Sequence, residues 1–290
     1  MPIAPRVGIV VLNYNGKECL PVCLTSLSAL VYPEKDIIVV DNASHDHSFN
    51  EAKKQFPDYV YIQNAKNEGF AKGMNLGIRL ALERGAEWVW IFNYDAVASP
   101  ESLEHLITVA NSMPKAGLLS PLIYAANGKD IWFAKGKISF WRMRTLHIPP
   151  TQENLTQTTY PSDFLTGCAL LIKKELIESI GFLDERFFLY YEDADYSLRA
   201  IRAGFACLVV PGAVVSHSEI SRKNFKKSYF LVYSGLLFFQ KWTPFFMRPY
   251  TSVYVTIRRV KNFLDRIFRK KGATQEVYLA YRKYFHERQS

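Results

Sequence analysis

Three short apolar runs, over residues 7–12, 36–40 and 88–92, each stop at a polar cluster: Asn13-Tyr14-Asn15, Asp41-Asn42-Ala43-Ser44 and Asn93-Tyr94-Asp95. A strand that is apolar along its whole length is buried on both faces, the habit of parallel sheets covered by helices. Between these runs, residues 17–30 and 68–84 show helical apolar spacing and supply the covering layers. A strand over 59–62, a helix running from Ser99 as cap and Pro100 as first residue toward Met113, and a strand over 117–122 continue the alternation. The pattern predicts an α/β domain with a mainly parallel central sheet and helices on both faces. Residues 135–162 show little period and read as a loop or hairpin region. Apolar runs over 167–172, 207–210 and 214–215 follow, the last leading to His217.

Charge divides the chain. Its net charge is +9, yet residues 223–290 hold 15 Lys and Arg against 3 acids, while residues 1–222 hold 21 against 24. The expected organisation is a catalytic-sized domain over 1–222 and a basic, helical extension over 223–290. Basicity confined to a tail argues against nucleic acid as the partner of the whole chain. Within the tail, Val253, Ile257, Val260, Leu264 and Ile267 recur every three or four positions. Arg258, Arg259, Lys261, Arg266, Arg269, Lys270 and Lys271 lie between them. A basic amphipathic helix of this kind suits an anionic membrane surface, where each cation contributes about 1 kcal/mol. The alternative is packing against the domain or against a second copy in a homo-oligomer. The longest uncharged run of the tail, 228–240, has 13 residues, short of the ~20 needed to cross a bilayer. The apolar N-terminus lacks a signal peptide's charged start and long core. The chain is therefore expected in the cytoplasm, peripheral on the inner face of the membrane. Its four cysteines show no convincing zinc spacing and read as buried free thiols.

The chemistry concentrates in residues 187–204, FFLYYEDADYSLRAIRAG. Glu192, Asp193 and Asp195 follow an aromatic stretch and open an amphipathic helix. Unpaired N–H groups favour acids there, but three exceed what capping needs, and a walled carboxylate can act as a general base. Asp195 with Arg199 forms a natural i,i+4 ion pair. In open α/β sheets ligands bind at the carboxyl ends of the strands, which points to Asp41 and Asp95. Asn13 and Ser44 fit a turn as well as a ligand contact. Gly69, Gly73 and Gly77 share a helix face: the last two fit close packing on the sheet, while Gly69 opens a helix N-terminus toward a diphosphate. Trp132, Trp141 and Tyr160 could stack on a sugar or fill the core.

Together the blocks VLNYNG (11–16), IIVVDNAS (37–44), NEGFAKGMNLGI (67–78), WIFNYDA (90–96), residues 164–205 and VVSHSEIS (214–221) resemble the family 2 inverting glycosyltransferases, in particular a rhamnosyltransferase-like branch. The resemblance covers about residues 6–221 and implies a GT-A type nucleotide-sugar-binding domain. It implies a donor site drawn from Asn13, Asn15, Asp41, Asn42, Asn67, Gly69, Phe70, Gly73, Asn75, Asn93, Tyr94 and Asp95. Asn93-Tyr94-Asp95 stands where the family carries Asp-X-Asp, leaving Asp95 to hold Mn²⁺ or Mg²⁺ with His217 as second ligand. Asp193 matches the catalytic base, with Glu192 beside it. The implied donor is dTDP-rhamnose or a UDP-sugar, and the implied acceptor is a glycan or polyprenyl-linked glycan of cell-surface polysaccharide synthesis. An Arg-Asn pair common in the branch is missing around Tyr233-Ser234, so the acceptor does not follow. The alternatives are a nucleotidyltransferase of related fold, which needs a triphosphate loop that this chain lacks, and a non-catalytic membrane-bound binding module.

Overall fold

The computed structural model describes residues 4–218, 225–268 and 272–287. The chain begins β1 (Val7–Asn13), α1 (Leu20–Ser28), β2 (Lys35–Asp41), α2 (Ser48–Gln55), β3 (Val60–Gln63), α3 (Phe70–Glu83) and β4 (Trp88–Asn93). It continues through β5 (Ala96–Ala98), α4 (Ser102–Ser112), β6 (Ala116–Ala125), β7 (Ile131–Phe133), β8 (Lys135–Ser139) and β9 (Arg144–Ile148). Then come α5 (Gln152–Thr156), β10 (Tyr160–Pro161), β11 (Ala169–Lys173), α6 (Lys174–Ile180), α7 (Glu192–Arg202) and β12 (Ala206–His217). The tail holds α8 (Phe225–Trp242), α9 (Arg248–Ile267) and α10 (Thr274–His286).

The central sheet runs β10-β12-β6-β11-β4-β1-β2-β3, with β5 added to β12 and β7 to β6. β1 is parallel to β2 and β4, β2 to β3, and β12 to β6. β11 enters antiparallel between β4 and β6. The mainly parallel sheet is thus borne out. All seven residues of β1 are buried, as a strand covered on both faces requires. α3 lies directly on it: a Cβ at Gly73 would meet Leu12 at 2.6 Å, and one at Gly77 would run into Val10 and Val40. Close packing is what these two glycines permit.

Some boundaries differ from expectation. The fourth helix starts at Ser102, not after a Ser99 cap: Ser99 and Pro100 form a turn in which Ser102 N–H donates to the Ser99 carbonyl. The Ser102 hydroxyl donates instead to Val214 O, tying α4 to the sheet. The two short runs before His217 are one strand, β12, that shifts register between Val210 and Val214. The aperiodic middle contains the β8–β9 hairpin. α2, α5 and α6 are helices beyond those expected.

In the tail, Phe238, Phe239 and Trp242 of α8 belong to the same core as the sheet, and Tyr233 and Leu236 pack with Ala280, Tyr281 and Tyr284 of α10. The expected boundary at 222/223 lies outside the described residues, as do Ser221, Arg269, Lys270 and Lys271. Among the described residues no helix is long and apolar enough to cross a membrane. All four cysteines are free.

Candidate active site

Asn13, Asp41 and Asn42 sit at adjacent strand ends and are buried. The Asp41 carboxylate is saturated from within. Its Oδ1 accepts from Asn13 Nδ2 (2.7 Å) and Ser44 Oγ (2.6 Å), and its Oδ2 from Ser44 N–H (2.9 Å) and Gln63 Nε2 (3.1 Å). Asn42 donates to the Gly69 carbonyl and accepts from Asn64. Four charge-assisted bonds fix the loop after β2. Above them Asn15, exposed and left-handed at φ 53°, accepts from His45 N–H while its own N–H donates to Ser44 Oγ.

The start of α3 is more committed than a free helix N-terminus. Gly69 has φ +85°, a region that suits glycine, and a Cβ there would meet the Phe188 carbonyl at 2.6 Å. Its N–H donates to Asn67 Oδ1, and the Phe70 N–H donates to Phe188 O. Asn75 is tied further away, exchanging hydrogen bonds with the Leu183 backbone. Asn75 and Gly73 thus serve the packing of α3, whereas the Phe70 ring reaches Gly167 beside Asp193.

Beyond β4 the chain turns through Asn93, Tyr94 and Asp95 into β5, which pairs with the end of β12. That pairing brings residues 122 apart together: Asp95 Oδ1 and His217 Nε2 are separated by 3.1 Å. Trp132 stacks edge-to-face on His217, centroids 4.5 Å apart, and on its other side lies His147, at 5.0 Å. His147 Nδ1 contacts the Trp132 carbonyl at 3.1 Å.

Asp193 occupies the first turn of α7. Its Oδ2 accepts from Gly167 N–H (3.0 Å) and its Oδ1 from Ala194 N–H (2.7 Å). Gly167 precedes Cys168, whose carbonyl accepts from Asn93 N–H, so the base candidate hangs beside the strand end that carries Asp95. Burial pushes the Asp193 carboxyl up; the Gly167 and Ala194 amides and the charge of His147 recover part of that shift. Glu192 is buried, its Oε2 lacking a partner among the described residues, and burial together with the Asp193 charge raises it well above the usual carboxyl range. Asp195 faces the other way. It is fully buried and pairs with Arg199 (3.0 Å), Lys241 (2.6 Å) and Trp242 Nε1 (2.7 Å).

The chemistry of the pair Asp95–His217 fits a divalent cation as two of its ligands. A hard carboxylate oxygen and an imidazole nitrogen already aim at one point. Among the described residues no third His, Cys, Asp or Glu joins them, which leaves positions for diphosphate oxygens. Among the described residues the His217 Nδ1 has no partner, and Trp132 packing orients the ring in place of the usual outer hydrogen bond.

Of the aromatic candidates, Tyr160 is core, its hydroxyl donating to Ala134 O. Trp141 is exposed against Tyr250, and Trp132 is at the site. His147 is a member that sequence reasoning missed; a lone histidine in an aperiodic hairpin carries no signal. The Gly167 amide lay hidden because a backbone donor is visible only once the chain is folded.

The sequence model described as Glycosyl transferase family 2 matches residues 8–181. The chain is 28% identical over 231 residues to N-acetylglucosaminyl-diphospho-decaprenol L-rhamnosyltransferase of Mycobacterium tuberculosis, covering 73% of this chain and 75% of that one. It is 25% identical to the dTDP-rhamnosyl transferase RfbF of Shigella flexneri, covering 73% and 69%. Among solved structures, GalNAc-T7 with UDP, GalNAc and Mn²⁺ superposes with TM-score 0.62 at 19% identity, over 73% of this chain and 43% of that one. The mannosyltransferase PcManGT of Pyrobaculum calidifontis, with GDP-Man and Mn²⁺, gives 0.59 at 18%, over 80% and 62%. The sheet with its polar strand ends has the GT-A architecture of these enzymes, and with the signature across residues 8–181 the chain belongs to glycosyl transferase family 2 and is a glycosyltransferase.

Proposed function

We propose that the protein is an inverting glycosyltransferase in which Asp193 is the general base. It takes a sugar from dTDP-rhamnose or a UDP-sugar and passes it to a glycan or polyprenyl-linked glycan during cell-surface polysaccharide synthesis. The observation that carries this reading is the Asp193 carboxylate, oriented by two amides and raised by burial, beside the end of β4 that leads to Asp95, which in turn meets His217 of β12. The acceptor hydroxyl gives its proton to Asp193 as its oxygen bonds to the anomeric carbon. The bond from that carbon to the diphosphate breaks on the opposite side, nucleoside diphosphate leaves, and the configuration inverts. Asp95 and His217 would hold Mn²⁺ or Mg²⁺, which when bound neutralises charge on the leaving diphosphate as a Lewis acid. Asp41 contributes through the loop it braces, while Asn15, Asn93 and Tyr94 face the nucleotide. The names of the M. tuberculosis and S. flexneri relatives favour rhamnose and a diphospho-lipid acceptor. The basic helix α9 would keep the enzyme on the inner membrane face, where such an acceptor is presented.

The test is transfer from a panel of nucleotide sugars to a synthetic N-acetylglucosaminyl-diphospho-lipid, with the product's anomeric configuration read by NMR. Chelation should abolish transfer, and Asp95→Ala and Asp193→Asn should each lower kcat by about 10²–10⁴-fold. A product that retains configuration, or full activity in Asp193→Asn, overturns the proposal.

A further inference from the structure

The tail helices enclose a cavity of about 330 Å³ at the lower end of the size range of ligand pockets. It lies away from the donor site, between α8, α9, α10 and the turn of the β8–β9 hairpin. Leu236, Phe239, Val255 and Met143 give it an apolar wall; Thr243 and Arg248 give it polar groups.

Two features of that lining are unexplained by folding. Thr243 is 5% exposed, and among the described residues its hydroxyl has no hydrogen-bond partner, a state that costs about 1–3 kcal/mol unless something fills it. Of the other hydroxyls around the cavity, Thr251 donates to Arg248 O, Thr256 to Ser252 O and Tyr284 to Gln240 Oε1. Arg248 sits at the mouth. Among the described residues it meets no carboxylate, its guanidinium lying 5.8 Å above the Phe245 ring. Phe245 and its neighbour Phe246 are 82% and 79% exposed, an apolar doorstep beside a cation.

We propose that this cavity binds a phosphate-bearing lipid, with the phosphate on Arg248 and Thr243, the first carbons of the chain against Leu236 and Val255, and the rest leaving past Phe245 and Phe246. A guanidinium and a hydroxyl donor are a fitting pair for phosphate oxygens. The apolar wall requires that the phosphate carry a hydrocarbon chain. Phe239, which lines the cavity, also packs against Tyr191, centroids 6.0 Å apart, and Tyr191 immediately precedes Glu192 and Asp193. An occupant therefore lies one aromatic ring from the turn that presents the base. The lipid can be an isoprenoid phosphate or a bilayer phospholipid, since both offer this chemistry.

Binding is measured on the full chain by tryptophan fluorescence and melting temperature, with farnesyl phosphate, farnesol, dihexanoyl phosphatidylglycerol and inorganic phosphate, all below micelle-forming concentration. Farnesyl phosphate or dihexanoyl phosphatidylglycerol should bind saturably, the tighter of the two identifying the source. Farnesol and inorganic phosphate should bind at least tenfold more weakly. Arg248→Gln should weaken the preferred lipid about tenfold. Val255→Trp, which fills the cavity, should abolish binding while dTDP and UDP binding persist as evidence of folding; Thr243→Val serves as a milder second variant. Equal binding of farnesol and farnesyl phosphate, or no loss in both Arg248→Gln and Val255→Trp, overturns the proposal. None of these readouts needs sugar transfer, so the site can stand or fall independently of the catalytic assignment.

Discussion

Glu192 and Asp193 are adjacent carboxyls in unlike surroundings. Asp193 accepts two amide hydrogen bonds, while the Glu192 Oε2 accepts none and is buried beside a neighbouring charge. The pair titrates as a unit, with the proton kept on Glu192, whose value is raised well above 4.5. An acid raised on folding binds more protons in the folded than in the unfolded chain between the two values. Stability is therefore lost as pH rises from about 4.5 through the raised value. Glu192→Gln, a neutral isostere, should remove that loss. Its melting temperature should exceed the wild type's by a margin that grows from pH 5 toward pH 8, as followed by calorimetry. Transfer by this variant should remain within about tenfold of wild type, because the missing proton was never the one exchanged. A wild-type rate that climbs with pH through a midpoint above the ordinary Asp value of 3.8 would report Asp193. A flat profile from pH 4 to 7 would remove it from the role.

The helix α7 owes its position to an element far along the chain. Tyr190 and Tyr191 are both left-handed, at φ 70° and 69°, a strained start for the helix that carries Asp193. α8 holds that turn in place: Ser234 Oγ donates to Leu189 O, Gly235 fits against the Tyr191 ring, and Trp242 Nε1 donates to Asp195. Trp242→Phe keeps an aromatic ring but removes the indole donor together with part of the buried surface that lies under Arg202, so the lost bond sets the least it can cost. It should cost at least about 1.5–3 kcal/mol, as for a bond to a charged group, read as a shift in the denaturation midpoint. Because α7 then loosens, kcat should fall several-fold with donor KM unchanged; a change in KM alone would point to some other role. These links explain which features could be read from the chain. β1 and β4 are apolar up to their ends at Asn13 and Asn93, and β2 is apolar from Ile37 to Val40 before it ends at Asp41, so both the strands and the polar edge were legible. β5, β7 and β10 have two or three residues each, too few for a period. The i,i+4 partner of Asp195 was visible, but Lys241 and Trp242 reach it only because α8 folds back onto the core. His147 arrives on a hairpin of intermediate exposure, where neither a helical nor an alternating pattern marks it. The three strand-end clusters were legible as polar groups, but their division into bracing residues and free ones depends on loop geometry.

At the scale of the whole molecule, α9 presents an apolar stripe over which none of the described residues is laid. Val253, Ile257, Val260, Leu264 and Ile267 are 60%, 62%, 52%, 45% and 57% exposed. Several cations beside the stripe are partly occupied: Arg259 stacks on Phe285, Arg266 on Tyr278, and Lys261 pairs with Asp265. On the proposed membrane reading, charge alone therefore supplies less attraction than a count of lysines and arginines suggests, and the stripe would carry much of the binding. Burying one such aliphatic side chain contributes about 1.5–3 kcal/mol, against about 1 kcal/mol for each cation near an anionic surface. Ile257→Asp should accordingly weaken sedimentation with phosphatidylglycerol vesicles by tenfold or more. Arg258→Gln should weaken it by less than tenfold and make it less sensitive to salt. Phosphatidylcholine vesicles should bind the wild type more weakly than anionic ones at equal lipid. The rival occupant of the stripe is a second copy of the chain. Analytical ultracentrifugation separates the two: a dimer that Ile257→Asp dissociates, with no vesicle binding at any salt, would assign the stripe to self-association and remove the membrane from this enzyme's description.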